Sequence, residues 1–290
     1  MSNAAASETF AARIVAIEAM AREAGALLKS RFGTPGTITS KGVAHDSERV
    51  FDVVTEVDFA AEKLVLSRIA ETAPDAYVVA EEGGLTRVDG TRVDPADEPD
   101  FDEVEDLWLV DPLDGTVNFA SSLPLFCVSI AWYSYGKPVA GAIFAPMLDE
   151  LYLFKTGNGA TLNGVPLRID PDVPAKDTVL ASGGVGFTID GHTATPEQFK
   201  AIIRNFRSWR RVGSAALALA WTAAGRFGGY AQFGSLNPWD YAVGAQLVLE
   251  AGGEIVNHEL EPWTNPLTGQ SGIVCGGRAV QATLIGAISS

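Results

Sequence analysis

Short apolar segments typical of strands alternate with amphipathic segments typical of helices along almost the whole chain, and the loops between them are short. Residues 107–110 form such a strand, whereas 8–32 and 58–73 carry apolar side chains at the three- and four-residue spacing of a helix. Because each sheet or helix must bury its apolar face against another layer, this alternation predicts the α/β (α+β layered) class. The 290 residues suffice for two packed halves, which we expect at 8–177 and 178–290.

The same patterns locate the remaining elements. The predicted strands are 77–80, 125–133, 138–145, 151–154, 178–184, 228–233 and 273–275. The predicted helices are 196–207, 211–224, 239–251 and 277–288. Asp58, at the start of the helix over 58–73, is interpreted as its N-cap.

The chain is acidic, with a formal net charge of −15. A protein that binds a phosphate backbone needs a basic patch, and no Lys/Arg cluster is larger than Arg207–Arg211. We therefore expect neither a nucleic-acid polymer nor an anionic membrane as a partner. Residues 89–106 hold nine acids and one arginine, about half of the net charge, and are interpreted as a solvated, mobile insertion. A calcium loop is the weaker alternative, because the EF-hand glycine and terminal glutamate are missing.

Cysteine and hydropathy patterns point to the cytoplasm. Cys127 and Cys275 both lie in apolar runs, which predicts two buried free thiols in a reducing compartment. No apolar run is long enough to span a membrane, and the N-terminus lacks the pattern of a signal peptide.

Acidic side chains follow the ends of several predicted strands. Asp52 and Asp58 precede a helix, Glu81 follows the strand over 77–80, and Asp111 and Asp114 follow the strand over 107–110. Carboxylates brought together need countercharge, and oxygen ligands without His or Cys suit Mg²⁺, Mn²⁺ or Ca²⁺. Taken singly, each acid has an ordinary alternative as a helix cap, a charged loop or an Asp-Gly turn.

The segment that follows Asp111 adds phosphate-binding character. Asp111 and Asp114 are separated by Pro-Leu, a turn that can aim both carboxylates at one pair of ions. Gly115 and Thr116 then begin a segment whose free N–H groups can hold a phosphate. Metal ligands beside amide donors are the arrangement of two-metal phosphoryl transfer.

With these motifs the chain resembles the inositol monophosphatase family of metal-dependent, lithium-sensitive sugar phosphatases. The resemblance runs from about residue 8 to 288 and is carried by DVVTEVD (52–58), EEGG (81–84), WLVDPLDGTVNF (108–119), RRVGSAAL (210–217) and WDYAVGAQLVLEAGG (239–253). It implies a five-layer α-β-α-β-α sandwich, a homodimer, and a small phosphorylated substrate. It also implies two or three Mg²⁺ per subunit.

The resemblance implies a role for each matching residue. The first metal would be bound by Glu81, Asp111 and the carbonyl oxygen of Leu113, and the second by Asp111, Asp114 and Asp240. Thr116 with Asp52 would orient and deprotonate the attacking water, and Glu81 is counted with them as catalytic.

Phosphate and substrate contacts complete the implied site. The amides of Gly115 and Thr116 would hold the phosphate, and the substrate would be contacted by Asp114, Ala215, Gln232 and Asp240. Lys41 is either a basic residue on a flap over the site or an ordinary solvated lysine.

Two departures from the family pattern leave the substrate open. Gln232 stands where the family has a glutamate that contacts inositol, and its spacing to Asp240 is one residue longer than in inositol-specific members. The longer spacing resembles that of 3′(2′),5′-bisphosphate nucleotidases. The sequence therefore predicts a Mg²⁺-dependent phosphomonoesterase for inositol monophosphate or a related polyol phosphate. The alternatives are histidinol phosphate, fructose 1,6-bisphosphate or a bisphosphate nucleotide, and, more remotely, a non-catalytic metal-binding regulatory protein.

Overall fold

In the first helix, apolar and small residues are the ones that pack against the rest of the chain. Helix α1 (Asn3–Arg31) buries Ile17, Ala24 and Leu28, each at most 1% exposed. A Cβ atom at Gly25 would lie 2.3 Å from the ring of Phe144, so glycine lets the helix approach that ring closely. The prediction of a helix over 8–32 is confirmed.

The structure is a computed structural model and describes residues 3–40, 53–183, 195–264, 267 and 271–289. The chain divides into two units, Met1–Leu151 and Tyr152–Ser290. The elements of the first unit after α1 are β1 (Ile38–Ser40), β2 (Val53–Thr55), α2 (Glu56–Thr72), β3 (Tyr77–Ala80), β4 (Gly84–Arg87), β5 (Leu107–Asp114), α3 (Thr116–Ala120), β6 (Cys127–Ser134) and β7 (Lys137–Ala145). Strand β8 (Glu150–Lys155) runs from the first unit into the second.

The main sheet of the first unit has the strand order β7-β6-β5-β3-β4. Strands β3 and β5 are parallel, and the other neighbouring pairs are antiparallel. All eight residues of β5 are buried, so this strand lies in the interior of the unit. Because β3 and β5 are parallel, their carboxyl ends meet at the same edge of the sheet.

The second unit contains an antiparallel meander and a second sheet. Its elements after β8 are β9 (Gly159–Leu162), β10 (Val165–Pro166), β11 (Val179–Ser182), α4 (Pro196–Ile203), β12 (Ser208–Arg210), α5 (Ala215–Ala223), β13 (Gly229–Leu236), α6 (Pro238–Glu250), β14 (Glu254–Asn257), β15 (Ser271–Gly276) and α7 (Arg278–Ile288). The second sheet has the order β12-β11-β13-β15-β14 and contains both parallel and antiparallel pairs. The mixed α/β class predicted from the sequence is confirmed.

The two units divide the chain earlier than the predicted boundary after residue 177. Strands β9 and β10 account for the difference, because residues around them are bound to α6 and its C-terminus. The carboxylate of Glu250 accepts hydrogen bonds from the N–H groups of Gly157 and Gly159, and the N–H of Ile169 donates to the carbonyl of Ala251. These contacts hold the meander to the second unit.

The acidic segment 89–106 is folded against the first unit. Phe101 and Val104 are each only 9% exposed, and the N–H of Tyr135 donates to the carbonyl of Val104. Asp106 accepts hydrogen bonds from Arg13 at 2.6 Å and from the indole of Trp132 at 2.9 Å. Most of the acids are exposed to solvent, as predicted, but the expectation of a mobile insertion is wrong because buried anchors fix the segment.

Both cysteines are buried free thiols, which confirms the prediction. Burial raises the pKa of Cys275 to about 12. In the part of the chain that the structure describes, no helix is long and apolar enough to cross a membrane.

Candidate active site

The end of β5 carries two of the predicted metal ligands. Asp111 lies opposite Ser129 on β6, and Asp114 lies opposite Cys127, so the strand bulges between the two acids. The carboxylate of Asp111 accepts a hydrogen bond from the N–H of Leu113 at 3.0 Å. The sequence predicts the strand to end at residue 110, but it continues through the acids because the bulge keeps them in the sheet.

Gly115 makes the turn that follows. Its φ of 99° lies in the left-handed region, and a Cβ atom there would lie 2.9 Å from the carbonyl oxygen of Leu125. Only glycine fits both restrictions without strain. The turn delivers Thr116 to the first position of α3. N–H groups at such a helix start have no intrahelical partner, which is consistent with the predicted phosphate contact of Gly115 and Thr116.

Thr116 meets a carboxylate from α2. Its hydroxyl lies 3.1 Å from Oδ1 of Asp58 and 3.0 Å from the carbonyl oxygen of Leu113. Asp58 is fully buried, and its Oδ2 accepts hydrogen bonds from the N–H of Thr55 at 2.9 Å and the hydroxyl of Thr55 at 2.5 Å. These donors hold the carboxylate in one orientation, with Oδ1 toward Thr116.

The interpretation of Asp58 as the N-cap of α2 is wrong, since Thr55 is the N-cap and Asp58 is the third helical residue of a capping box. The resemblance implies Asp52 as the partner of Thr116, but Asp52, like Lys41, lies outside the described residues. The described partner of Thr116 is Asp58. A signal for this was present, because Thr-x-x-Asp before an apolar helix is a capping-box pattern that fixes the Asp side chain.

Glu81 stands at the end of β3, directly beside Asp111. Ala80 pairs with Val110, and the N–H of Glu81 donates to the carbonyl of Val110. The next residue, Glu82, donates its N–H to Oε2 of Glu62 at 3.0 Å.

Glu62 is a buried acid on α2 that none of the sequence motifs singles out. It is 8% exposed and lies one helical turn after Asp58, so one face of α2 contacts both Thr116 and the turn after β3. A Cβ atom at Gly83 would lie 2.9 Å from Oε1 of Glu62, which explains a small residue there.

The donor chemistry of these groups fits a hard cation. Asp111 and Asp114 are 1% and 9% exposed, and a cation beside them would offset the burial of their charges. Carboxylate and carbonyl oxygens are the ligands that Mg²⁺ and Ca²⁺ prefer. Within the described ranges, however, no three Asp, Glu, His or Cys side chains form a ready-made metal-binding cluster. The ligand roles therefore stay predictions.

In the second unit, Asp240 repeats the local geometry of Asp58. It is the third residue of α6, and its Oδ2 accepts a hydrogen bond from the N–H of Asn237, the N-cap, at 2.7 Å. Both acids are thus fixed by their own helix starts. The predicted role of Asp240 as a metal ligand and substrate contact stays a prediction.

The other predicted substrate contacts also lie in the second unit. Ala215 is the first residue of α5, after the N-cap Ser214. Gln232 lies on β13, where the register with β15 shifts between Gln232 and Leu236. Its Oε1 accepts a short hydrogen bond from the hydroxyl of Tyr230, and its Nε2 donates to the carbonyl of Gly234 at 3.2 Å. The side-chain amide of Gln232 is therefore held in one orientation.

A mixed α/β fold with a buried Asp–Thr pair and further carboxylates at strand ends agrees with the class of protein that the sequence motifs resemble. Comparisons with known proteins make the assignment specific. The Inositol monophosphatase family profile matches residues 11–290. Nus factor SuhB of Escherichia coli (strain K12) is 36% identical over 265 residues, 91% of each chain.

Two further comparisons agree. Inositol monophosphatase 2 of Solanum lycopersicum is 36% identical over 245 residues, which cover 84% of this chain and 86% of the relative. The crystal structure of SaIMPase-II with bound inositol monophosphate is 29% identical and has a TM-score of 0.73, covering 94% of this chain and 92% of that chain. The chain belongs to the inositol monophosphatase family.

Proposed function

We propose that the protein is a Mg²⁺-dependent phosphomonoesterase that hydrolyses inositol monophosphate or a related small polyol phosphate. The observation that carries the proposal is the hydrogen bond between Thr116 and the buried carboxylate of Asp58, beside the acids that end β3 and β5. Such a pair can orient a water molecule and take up its proton.

The geometry of the Thr116–Asp58 pair supports a route for proton transfer from water. When the Thr116 hydroxyl donates to Oδ1 of Asp58, its oxygen lone pairs can accept a hydrogen bond from a water molecule. As that water attacks phosphorus, its proton passes to Thr116 Oγ1 and the Thr116 proton passes to Asp58 Oδ1. Because Thr55 holds Oδ2, the accepting oxygen stays in place during the transfer.

The proposed metal site uses the ligands implied by the resemblance, namely Glu81, Asp111, the Leu113 carbonyl, Asp114 and Asp240. Bound Mg²⁺ would neutralise phosphate charge and lower the pKa of bound water. The backbone amides of Gly115 and Thr116 would hold the phosphate. The number of ions and a homodimer are likewise proposed on the resemblance alone, and a cytoplasmic location is proposed on the cysteine and hydropathy patterns of the sequence.

Inositol monophosphate is the first candidate substrate, because SaIMPase-II, which shares the fold, has been solved with this ligand. Histidinol phosphate, fructose 1,6-bisphosphate and bisphosphate nucleotides remain alternatives because Gln232 is neutral where inositol-specific members have a carboxylate. A panel of these esters, ranked by kcat/KM with Mg²⁺, identifies the preferred one.

Phosphate release from the panel, with Mg²⁺ and with excess chelator, tests the activity itself. We expect release that depends on Mg²⁺ and is lost in Asp114→Asn, whereas Glu98→Gln, a change at an exposed acid, should behave like the wild type. If no ester is hydrolysed, the proposed function is wrong. In that case the non-catalytic alternative gains support, since one relative is named Nus factor rather than phosphatase.

A further inference from the structure

The side chain of Gln232 on β13 is held by two neighbours with different hydrogen-bonding roles. The carbonyl oxygen of Gly234 can only accept, and it receives a hydrogen bond from Nε2 of Gln232 at 3.2 Å. This contact decides which end of the amide is the NH2 group. Oε1 therefore lies on the other side, where it accepts the hydrogen bond from the hydroxyl of Tyr230.

An irregularity in β13 places the carbonyl of Gly234 within reach of the amide. The pairing of β13 with β15 stops at Gln232 and resumes at Leu236, so three residues of β13 lie opposite Gly272. Gly234 has a φ of 143°, and a Cβ atom at Gly272 would lie 2.8 Å from the nitrogen of Gly234. Glycine at both positions lets the bulge form. The bulge belongs to the stretch in which the chain departs from inositol-specific members.

The fixed orientation decides what Gln232 offers to a ligand. A Cβ atom at Gly183 would overlap Oε1, so this oxygen is covered by the backbone as well as bound by Tyr230. In the part of the chain that the structure describes, the second hydrogen of the NH2 group has no acceptor. Gln232 is half-buried and lies on the face of β13 opposite Ala231, which packs into the apolar cluster around Leu180. Gln232 therefore presents an N–H donor.

A carboxylate would fit this arrangement poorly. In Gln232→Glu, an oxygen would take the place of Nε2, 3.2 Å from the carbonyl oxygen of Gly234, and the two acceptors would repel each other. The bulge and Tyr230 are thus matched to an amide. The exchange of the family's glutamate for Gln232 changes the group offered to the substrate from an acceptor to a donor.

We propose that Tyr230 and the carbonyl of Gly234 make Gln232 a hydrogen-bond donor to the substrate. The site then prefers a phosphate ester that carries an anionic acceptor at this position, such as a second phosphate, over one that carries a hydroxyl group. Hydrogen bonds to an anion are stronger than those to a neutral hydroxyl, and a neutral amide does not repel the anion as a glutamate would. Tyr230 is a positioning residue, and Gln232 selects between substrates. This inference rests on the proposed function, because it takes Gln232 as a substrate contact.

Esters that differ in one group test the preference by their kcat/KM values with Mg²⁺. One pair is fructose 1,6-bisphosphate with fructose 1-phosphate, and the other is adenosine 3′,5′-bisphosphate with adenosine 3′-phosphate, so the two pairs distinguish a sugar from a nucleotide. The wild type should prefer the bisphosphate of at least one pair by about tenfold or more. Gln232→Glu should lower that ratio at least about tenfold, because a donor is replaced by a like charge. Tyr230→Phe should lower it by a factor of about three to ten, because the amide is held less firmly.

Two matched variants control for the added charge and the lost hydroxyl. Gln198→Glu adds the same charge on α4, where glutamate can complete the capping box with Thr195 as glutamine does. Tyr135→Phe removes a phenol hydroxyl from a residue that is 53% exposed. Both controls should keep the wild-type ratio. A merely structural defect lowers kcat/KM for both esters of a pair alike, and thermal unfolding checks that each variant folds.

A wild type that prefers the hydroxyl ester of both pairs would overturn the inference, and so would a bisphosphate preference that survives in Gln232→Glu. If Tyr230→Phe alone keeps the ratio, the role given to Tyr230 is wrong. If no ester is hydrolysed, the proposed function is wrong, but calorimetric titration of the same esters still tests the inference through the ratio of their dissociation constants. Absence of both hydrolysis and binding would overturn both proposals.

Discussion

The hydroxyl of Thr116 lies 3.1 Å from Oδ1 of Asp58, a residue 58 positions earlier in the chain. Three elements have to be in place for this contact: the start of α2, the bulged end of β5 and the left-handed turn at Gly115. The same face of α2 reaches Glu82 through Glu62. One helix therefore aligns the ends of the two parallel strands on which the proposed chemistry depends.

Replacing Asp58 by Asn should lower kcat by a factor of about 10² to 10⁴, the range expected when a positioned proton acceptor is lost. The Asn side chain keeps the shape of the carboxylate, with its oxygen toward the N–H of Thr55 and its NH2 group toward Thr116 Oγ1, so KM should change little. Glu56→Gln, an exposed acid in the same helical turn, is the matched control. Asp52→Asn tests the assignment made from the sequence. A loss of kcat in Asp52→Asn but not in Asp58→Asn would contradict the role given to Asp58.

The sequence predicted the mixed α/β class and most helices because periodicity and caps are local signals. It placed acids at the ends of β3 and β5 for the same reason. It did not identify Asp58 as the partner of Thr116, because the capping-box pattern fixes the Asp58 side chain but does not show which residue, 58 positions later in the chain, meets its second oxygen. It also missed Glu62, whose role depends on a contact with the backbone of Glu82 across the fold.

The acidic segment shows a second limit of sequence reasoning. Composition alone favours a solvated, mobile insertion for 89–106. The segment is ordered by the burial of Phe101 and Val104 and by the hydrogen bonds of Asp106. Asp106 is bound by Arg13 and Trp132, two residues that are distant from it in sequence. Strand β12 was likewise missed, because three residues carry too little periodicity to predict a strand.

Replacing Thr55 by Ala should lower the free energy of unfolding by about 1–2 kcal/mol, since the N-cap of α2 is lost. Thr55 is 1% exposed, and its hydroxyl contacts both the N–H of Val57 and Oδ2 of Asp58. Urea denaturation measures the change. Thr55→Ser keeps the hydroxyl and should recover most of the stability. Equal losses in the two variants would assign the effect to the missing methyl group instead.

Asp106 should make the stability of the protein depend on pH. Burial raises the pKa of this carboxyl, although Arg13 and Trp132 oppose the shift. The folded state then holds the proton more tightly than the unfolded state. The contribution of Asp106 to the free energy of unfolding is therefore complete below the ordinary aspartate pKa, and it is lost as the pH rises through the raised pKa of the folded state. Wild type should therefore gain stability relative to Asp106→Asn as pH falls from neutrality into the aspartate range. Chemical denaturation of both proteins across this pH window measures the difference in their free energies of unfolding. If the two free energies change with pH in parallel, the role given to Asp106 is wrong.

Gly115→Ala should be more harmful than Gly90→Ala, although both glycines have positive φ values, 99° and 87°. A Cβ atom at Gly90 meets nothing within 4 Å, so its variant reports the backbone strain alone, about 1–2 kcal/mol. At Gly115 the added atom also lies 2.9 Å from the carbonyl oxygen of Leu125. Relief of this close contact must displace the turn before Thr116. We expect Gly115→Ala to lower the thermal stability more than Gly90→Ala does, and to abolish phosphatase activity. Equal stability losses in the two variants would show that the turn accommodates the added atom without further cost.

Cys127 should position Asp114 for metal binding. The thiol is fully buried, lies directly opposite Asp114 in the β5–β6 pair, and places Sγ 3.8 Å from Oδ2. An S–H group is a weak donor, so its loss in Cys127→Val should weaken Mg²⁺ binding only about twofold to fivefold, which calorimetric titration of the metal-free protein can resolve. Cys127→Ser keeps a donor and should bind Mg²⁺ nearly as the wild type does. If the thiol only fills space, the order reverses, because Val preserves the packing whereas Ser leaves a polar group in an apolar site. Thermal unfolding of both variants, measured without metal, separates a packing defect from the loss of the contact with Asp114.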